Sequence, residues 1–250
     1  MPLFSLEGRV AMVTGCNKGL GQAMAVALAE AGADIIGANR RHADETRQRV
    51  EALGRRYIHL EAELGKDRPA TIIEKAIAEG GQLDILVNNA GMIRRAPALE
   101  FSEDDWDSVI DVNLKATFFL TQHAARHMIE RGTGGKIIHV ASMLSFQGGI
   151  RVPSYTASKS GILGLTRLMA NEWAAQGVNV NAIAPGYMAT DNTQALRDDP
   201  QRSAEILSRI PAGRWGNPDD LAGAVVFLAS PASDYVHGHT LAVDGGWLAR

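Results

Sequence analysis

The sequence predicts an α/β protein: a doubly wound parallel sheet of about seven strands with helices on both faces. Three observations carry that prediction. Short apolar runs alternate with longer helical patterns along the whole chain. Many of the 26 glycines sit where apolar runs end. No linker, low-complexity tract or internal repeat breaks the alternation, so residues 1–250 read as one domain. Strands that alternate with helices need crossover connections, and such connections pair strands in parallel.

The elements follow in order. Val10–Thr14 reads as a buried strand and Gln22–Glu30 as a helix of small residues. Asp34–Ala38 is a second strand, followed by a charged helix over roughly His42–Leu53. Tyr57–Leu60 is a third strand, with a helix near Pro69–Glu79, and Leu83–Asn88 is a fourth. Ser102 before Glu103 has the character of a helix N-cap, opening a helix to about Arg131. Gly135–Val140 is a fifth strand, Ser154–Gln176 a long helix and Val178–Ile183 a sixth strand. A late helix covers Asp219–Ala229 and a seventh strand Thr240–Val243. Gly186–Pro211 reads as irregular, and a loop of that length is usually functional.

Composition narrows the function. The chain is 46% hydrophobic and 21% charged, with net charge −3 and a pI near 6.2. Neither a nucleic acid nor a membrane surface is an expected partner. One cysteine, Cys16, excludes an intramolecular disulfide and a cysteine-rich metal site, so no metal is expected. No apolar run reaches membrane-span length. The first residues lack a basic segment followed by an apolar run, so a cytoplasmic location is expected.

Tyr155 and Lys159 are the most informative pair. On a helix their spacing puts both side chains on one face, about 5–6 Å apart at Cβ. An ammonium near a phenol favours the phenolate and lowers the tyrosine pKa. A tyrosine so tuned can exchange a proton with a carbonyl or alcohol. Thr14–Gly21 follows the first strand and opens the first helix as Gly-x-x-x-Gly-x-Gly. Glycines there let backbone approach a pyrophosphate, and the helix N-terminus offers free N–H groups. Such a turn makes the sheet Rossmann-type. Asn88–Gly91 ends the fourth strand, Ser142 the fifth, and Asn113 is a polar residue within an apolar helix.

Together Thr14–Gly21, Asn88–Gly91, Asn113, Ser142, Tyr155 with Lys159, and Pro185-Gly186 with Thr190 resemble the short-chain dehydrogenase/reductase family over the whole chain. The resemblance implies an oxidoreductase that moves a hydride between a nicotinamide dinucleotide and an alcohol or ketone. Ser142 would orient the carbonyl and Tyr155 would act as general acid/base. Lys159 would lower the tyrosine pKa and hold the nicotinamide ribose, and Asn113 would anchor a relay water. Implied cofactor contacts are Gly15, Asn17, Lys18, Gly19, Leu20, Gly21, Asn39, Arg40, Glu63, Leu64, Asn89, Ala90, Gly91, Tyr155, Lys159, Pro185, Gly186, Met188 and Thr190. Implied substrate contacts are Arg94, Ser142, Met143, Gly148, Arg151, Tyr155 and Tyr187. A homotetramer is implied as well.

The stretches 88–95, 141–159, 179–190, 209–216 and 242–250 resemble family members that act on keto-acid sugars. A carboxylate suits a bidentate arginine, and Arg94, Arg95, Arg151 and Arg214 are candidates, with Arg250 of a neighbouring subunit in reserve. The alternatives are 3-oxoacyl reduction on acyl carrier protein, another sugar oxidation on the same fold, and a non-enzymatic cofactor sensor, which the intact Ser142, Tyr155 and Lys159 argue against. Cofactor preference is set locally. Asn39-Arg40-Arg41 stands where an acidic residue would bind ribose hydroxyls, and Lys18 adds a cation. These residues favour NADP, with NAD as the fallback. Glu63 replaces an expected aspartate beside adenine, leaving its backbone to serve.

Overall fold

A computed structural model describes residues 2–250. Seven parallel strands form one sheet in the order β3-β2-β1-β4-β5-β6-β7. They are β1 Val10–Thr14, β2 Asp34–Asn39, β3 Tyr57–Glu61, β4 Ile85–Asn88, β5 Gly135–Val140, β6 Val178–Pro185 and β7 Thr240–Val243. The helices are α1 Gly19–Glu30, α2 Asp44–Ala52, α3 Pro69–Gly80, α4 Glu103–Ile110, α5 Thr117–Glu130, α6 Pro153–Trp173, α7 Gln194–Arg197, α8 Pro200–Arg209 and α9 Ala222–Ala229. The strand order turns back between β1 and β4, and an open α/β sheet leaves a crevice at the carboxyl edge of that point.

Alternate residues of each central strand serve opposite layers. Ala11, Val13, Ile35, Ile85 and Val87 pack under α1 and α9. Val10, Met12, Ile36, Leu86 and Ile137 pack under α3, α5 and α6. Both faces are therefore covered, which is why β1 and β6 are buried along their whole length, Asn179 and Asn181 of β6 included. Burying each large side chain, such as Met12 or Leu86, contributes about 1.5–3 kcal/mol. A third cluster (Met143, Ile162, Ile206, Ile210 and Trp247) seats α8 against the ends of β5 and β6. No helix among the described residues is long and apolar enough to cross a membrane.

Two expectations need correction. The helix opened by Ser102, whose hydroxyl accepts the Asp105 N–H at 3.2 Å, changes to a π-helix over Asp111–Ala116 between α4 and α5. Such segments are frequent at functional sites, and this one carries Asn113. Gly186–Pro211 is also not irregular: it holds a short 3-10 turn, α7 and α8. The signal for α8 was present in Asp199-Pro200. The aspartate accepts the Arg202 N–H at 3.0 Å and the proline opens the first turn.

Candidate active site

Ser142 follows β5 and caps the short turn Met143–Ser145, its hydroxyl accepting the Leu144 N–H at 3.2 Å. Ser145 accepts the Ser142 N–H at 3.3 Å and donates to the Lys159 carbonyl at 2.7 Å, so the serine turn is tied to α6. Near its start, α6 carries Tyr155 and Lys159 one turn apart. The Lys159 ammonium lies 5.7 Å from the Tyr155 ring centroid and donates to the Val140 carbonyl at 2.6 Å. Ser142, Tyr155 and Lys159 thus meet at the carboxyl edge of β5.

The electrostatics differ from the expectation. Desolvation raises the Tyr155 pKa above the ordinary phenol value, opposed by the Ser142 hydroxyl and by the charge of Arg95. Lys159 is not among the groups that pull it down. Lys159 is only 5% exposed, and burial lowers its own pKa from 10.5 to about 8. Desolvation is the largest effect on both groups.

Behind Lys159 runs a chain of buried hydrogen bonds with a fixed direction. Thr166 donates its hydroxyl to the Ile162 carbonyl at 2.7 Å, so its oxygen accepts from His139 Nδ1 at 2.9 Å. His139 Nε2 then accepts from Thr121 at 3.1 Å, and Thr121 accepts from Asn88 Nδ2 at 2.9 Å. Burial, with Lys159 nearby, lowers the His139 pKa to about 3, which keeps it neutral. Asn88 Oδ1 is buried without a partner. Asn113 sits beside this chain. Its Oδ1 accepts the Met92 N–H at 2.8 Å, and its Nδ2 donates to the Met92 carbonyl at 2.9 Å and to Ser158 at 3.2 Å. The π-helix lets one amide clamp the turn after β4 to α6.

The glycine turn fits a dinucleotide. A Cβ on Gly21 would lie 2.2 Å from the Gly15 carbonyl, and Gly15 has φ +67°. Lys18, the residue that caps α1, makes no side-chain cap bond, leaving the helix end open. The Thr14 hydroxyl accepts the Asn89 and Ala90 N–H groups at 3.0 Å each, and Asn89 Nδ2 donates to the Thr14 and Gly15 carbonyls at 3.0 Å. Asn39 is buried and turned inward, accepting the Cys16 N–H at 2.7 Å. Thr46 donates to the Cys16 carbonyl at 2.7 Å, so the peptide units flanking Cys16 are both held. Asn17 is exposed and Leu20 half-buried on this turn. Lys18 pairs with Asp191 across the mouth of the cleft. At the end of β2, Arg40 lies 4.0 Å from Glu63, which also pairs with Lys66 at 3.1 Å. The Glu63 N–H donates to Asp67 at 2.7 Å, so the backbone donor expected to serve adenine is already engaged. Leu64 is partly buried against the α3 side of the core.

Across the cleft, Gly186 packs against Asp244, and the buried Met188 is held by Gly216 through the Ala189 N–H at 2.7 Å. Thr190 opens the turn Asp191–Thr193. Tyr187 stacks edge-on with Trp215 at 5.7 Å and against Trp247 at 4.6 Å. The sequence reading missed both tryptophans, which lie far along the chain and carry no local motif. Met143 is buried, Gly148 is open and Arg151 adopts φ +64°. Arg94 pairs with Asp105 at 3.3 Å, and Arg214 forks onto Asp220 at 2.6 and 2.9 Å. Arg250 donates to the Ser208 and Arg209 carbonyls and caps α8 of its own chain. A cavity of about 190 Å³ lies behind Tyr187, with neither Ser142 nor Tyr155 in its lining.

A hydroxyl donor, a phenol and a buried ammonium beside a glycine-cradled helix end define a nicotinamide-dependent oxidoreductase. Residues 15–248 match the family model described as enoyl-(acyl carrier protein) reductase. The chain belongs to the short-chain dehydrogenase/reductase family and is an NAD(P)-dependent dehydrogenase. Among its relatives, the 2-dehydro-3-deoxy-D-gluconate 5-dehydrogenase of Escherichia coli (strain K12) is 67% identical, over 99% of this chain and 98% of that protein. A proposed 2-deoxy-D-gluconate 3-dehydrogenase of Agrobacterium tumefaciens, solved with bound NADP, has TM-score 0.93 and 58% identity with full coverage of both chains. The gluconate 5-dehydrogenase of Burkholderia cenocepacia J2315, solved with NADP and tartrate, has TM-score 0.94 and 41% identity over 100% of this chain and 98% of that one.

Proposed function

We propose that the chain oxidises 2-dehydro-3-deoxy-D-gluconate at C5, or reduces the corresponding 2,5-diketo acid, in uronate breakdown. The observation that carries this reading is the assembled Ser142, Tyr155 and Lys159 in a chain that matches the Escherichia coli enzyme from end to end. Gly15 to Gly21, Asn89 to Gly91, and Pro185 to Thr190 would hold the dinucleotide, which supplies the hydride acceptor or donor when bound. Ser142 would hold the substrate oxygen through its hydroxyl. Tyr155 would take or give the hydroxyl proton at its phenol oxygen, and Lys159 would hold the nicotinamide ribose. Asn113 would keep the turn after β4 in register with α6.

NADP is the preferred dinucleotide in this reading. Arg40 and Arg41 are exposed at the end of β2, where Asn39 rather than a carboxylate ends the strand and Glu63 lies 4.0 Å from Arg40. Lys18 contributes less than the sequence suggests, because Asp191 draws its charge. Residues 1–250 act as one unit, in the cytoplasm, as a homotetramer. Trp106 on α4, Phe119 on α5 and Leu168 on α6 are exposed on the helices that would pair. Of the small residues on α6, Gly161 is packed by Leu114 of its own chain and Gly164 is open. Light scattering that returned a monomer would contradict the assembly. For the activity, the test is a coupled assay of the keto acid with NADP and NAD side by side. Turnover only on acyl thioesters would replace the reading with 3-oxoacyl reduction.

A further inference from the structure

In this fold the residue that ends the second strand is placed to meet the ribose hydroxyls of a bound adenosine. Asn39 holds that place, yet it is only 5% exposed and faces the core. Its Oδ1 accepts the Cys16 N–H at 2.7 Å, which fixes the other end of the amide as the donor. That donor, Nδ2, meets two groups, the Tyr57 hydroxyl and Cys16 Sγ, each at 3.5 Å. The hydroxyl and the sulfur in turn lie 3.6 Å apart. Tyr57, Cys16 and Asn39 thus close one small cluster under the glycine turn.

Strand β2 makes the space for it. Gly37 stands two residues before Asn39, so both positions face the same side of the sheet. A Cβ on Gly37 would lie 1.9 Å from the Tyr57 hydroxyl oxygen and 2.8 Å from Cys16 Sγ. Only glycine at that position lets the hydroxyl in. The Tyr57 ring reaches there from β3 and packs against the core under α1. Burial raises the pKa of Tyr57 and of Cys16, so both keep their protons. The cluster is therefore uncharged. If the tyrosine oxygen were removed, the Asn39 amide would keep only a thiol as partner, and sulfur is a weak acceptor. A buried N–H short of a partner is costly, so the amide would turn out towards solvent or ligand.

We propose that Tyr57 is a positioning residue for dinucleotide choice: its hydroxyl, seated over Gly37, holds the Asn39 amide away from the adenosine ribose. The end of β2 then offers the 2′-phosphate of NADP the exposed Arg40, and offers the ribose hydroxyls of NAD neither an amide nor a carboxylate. This rests on the NADP reading given above and is independent of the sugar.

The test measures Kd for NADPH and for NADH by nicotinamide fluorescence in wild type, Tyr57→Phe, Asn39→Ala and the double variant of both. Melting temperatures establish that each protein is folded. In Tyr57→Phe the Kd for NADH should fall about three- to tenfold, the scale of one net hydrogen bond, with the Kd for NADPH within about twofold. Introduced into Asn39→Ala, the same Tyr57→Phe change should leave the Kd for NADH where it was, because no amide remains to turn outward. That dependence separates positioning from support, since a merely structural loss would weaken both dinucleotides alike. Unchanged affinities, equal changes for both dinucleotides, or the same gain for NADH without Asn39 would overturn the proposal and leave Tyr57 as a support for the glycine turn. Wild type binding NADH as tightly as NADPH would overturn the NADP reading, and this proposal with it.

Discussion

At the carboxyl ends of β4 and β5 the polar groups are buried and partner one another. Asn88, Thr121, His139 and Thr166 form one directed chain, and Lys159 lies against Val140. At the mouth of the crevice the opposite holds. Lys18, Asp191, Arg40 and Glu63 stand largely in solvent and pair across gaps. Buried hydrogen-bonded networks specify one geometry, whereas exposed pairs are worth about 0–1 kcal/mol and are screened by salt. In the proposed function, chemistry falls to Ser142, Tyr155 and Lys159 beside the buried network and cofactor selectivity to the exposed rim.

Substitutions can break that division, starting with the largest effect. Tyr155→Phe should leave the fold and cofactor binding intact and lower turnover about 10²–10⁴-fold. Turnover near that of wild type would remove Tyr155 from the chemistry.

Lys159→Met separates stability from activity. The folded pKa of Lys159, about 8, lies below the lysine value of 10.5, so the fold disfavours the ammonium. Below pH 8 wild type bears that cost in full. Between pH 8 and 10.5 the unfolded chain binds the additional proton, so stability from this group rises with pH. Lys159→Met removes the cost but leaves the Val140 carbonyl without its donor. The net gain should be about 1–2 kcal/mol at pH 7, seen as a higher melting temperature in a variant with no turnover. The gap should narrow as pH rises, and a widening gap would contradict the burial argument.

At the rim, Arg40→Ala should raise KM for NADPH about tenfold, the scale of one charge-assisted hydrogen bond, and leave KM for NADH within twofold. Equal changes for both cofactors would place the 2′-phosphate elsewhere. Asp191→Ala should have the smallest effect, leaving the melting temperature close to that of wild type, as for other exposed pairs.

The sequence reading and the structure part company along the same division. The strands were legible because both faces of the sheet are covered, and β5 and β7 were read to the residue. Tyr155 and Lys159 were legible because a helix fixes their spacing. Side-chain direction was not. Asn39 ends β2 as expected but turns inward to Cys16, and Lys18 turns to Asp191. Tyr155 and Lys159 are neighbours, yet only their desolvation shows which way each pKa moves. His139, Trp215 and Trp247 join the site through contacts between distant segments, which no local pattern records.

The proposed reaction is the oxidation of a sugar acid at C5 with Tyr155 as the base. The direct measurement follows nicotinamide reduction by wild-type enzyme with 2-dehydro-3-deoxy-D-gluconate and identifies the product by NMR. The expected result is one reduced dinucleotide per sugar and a new ketone at C5. No reduction, or a ketone at another carbon, would contradict it.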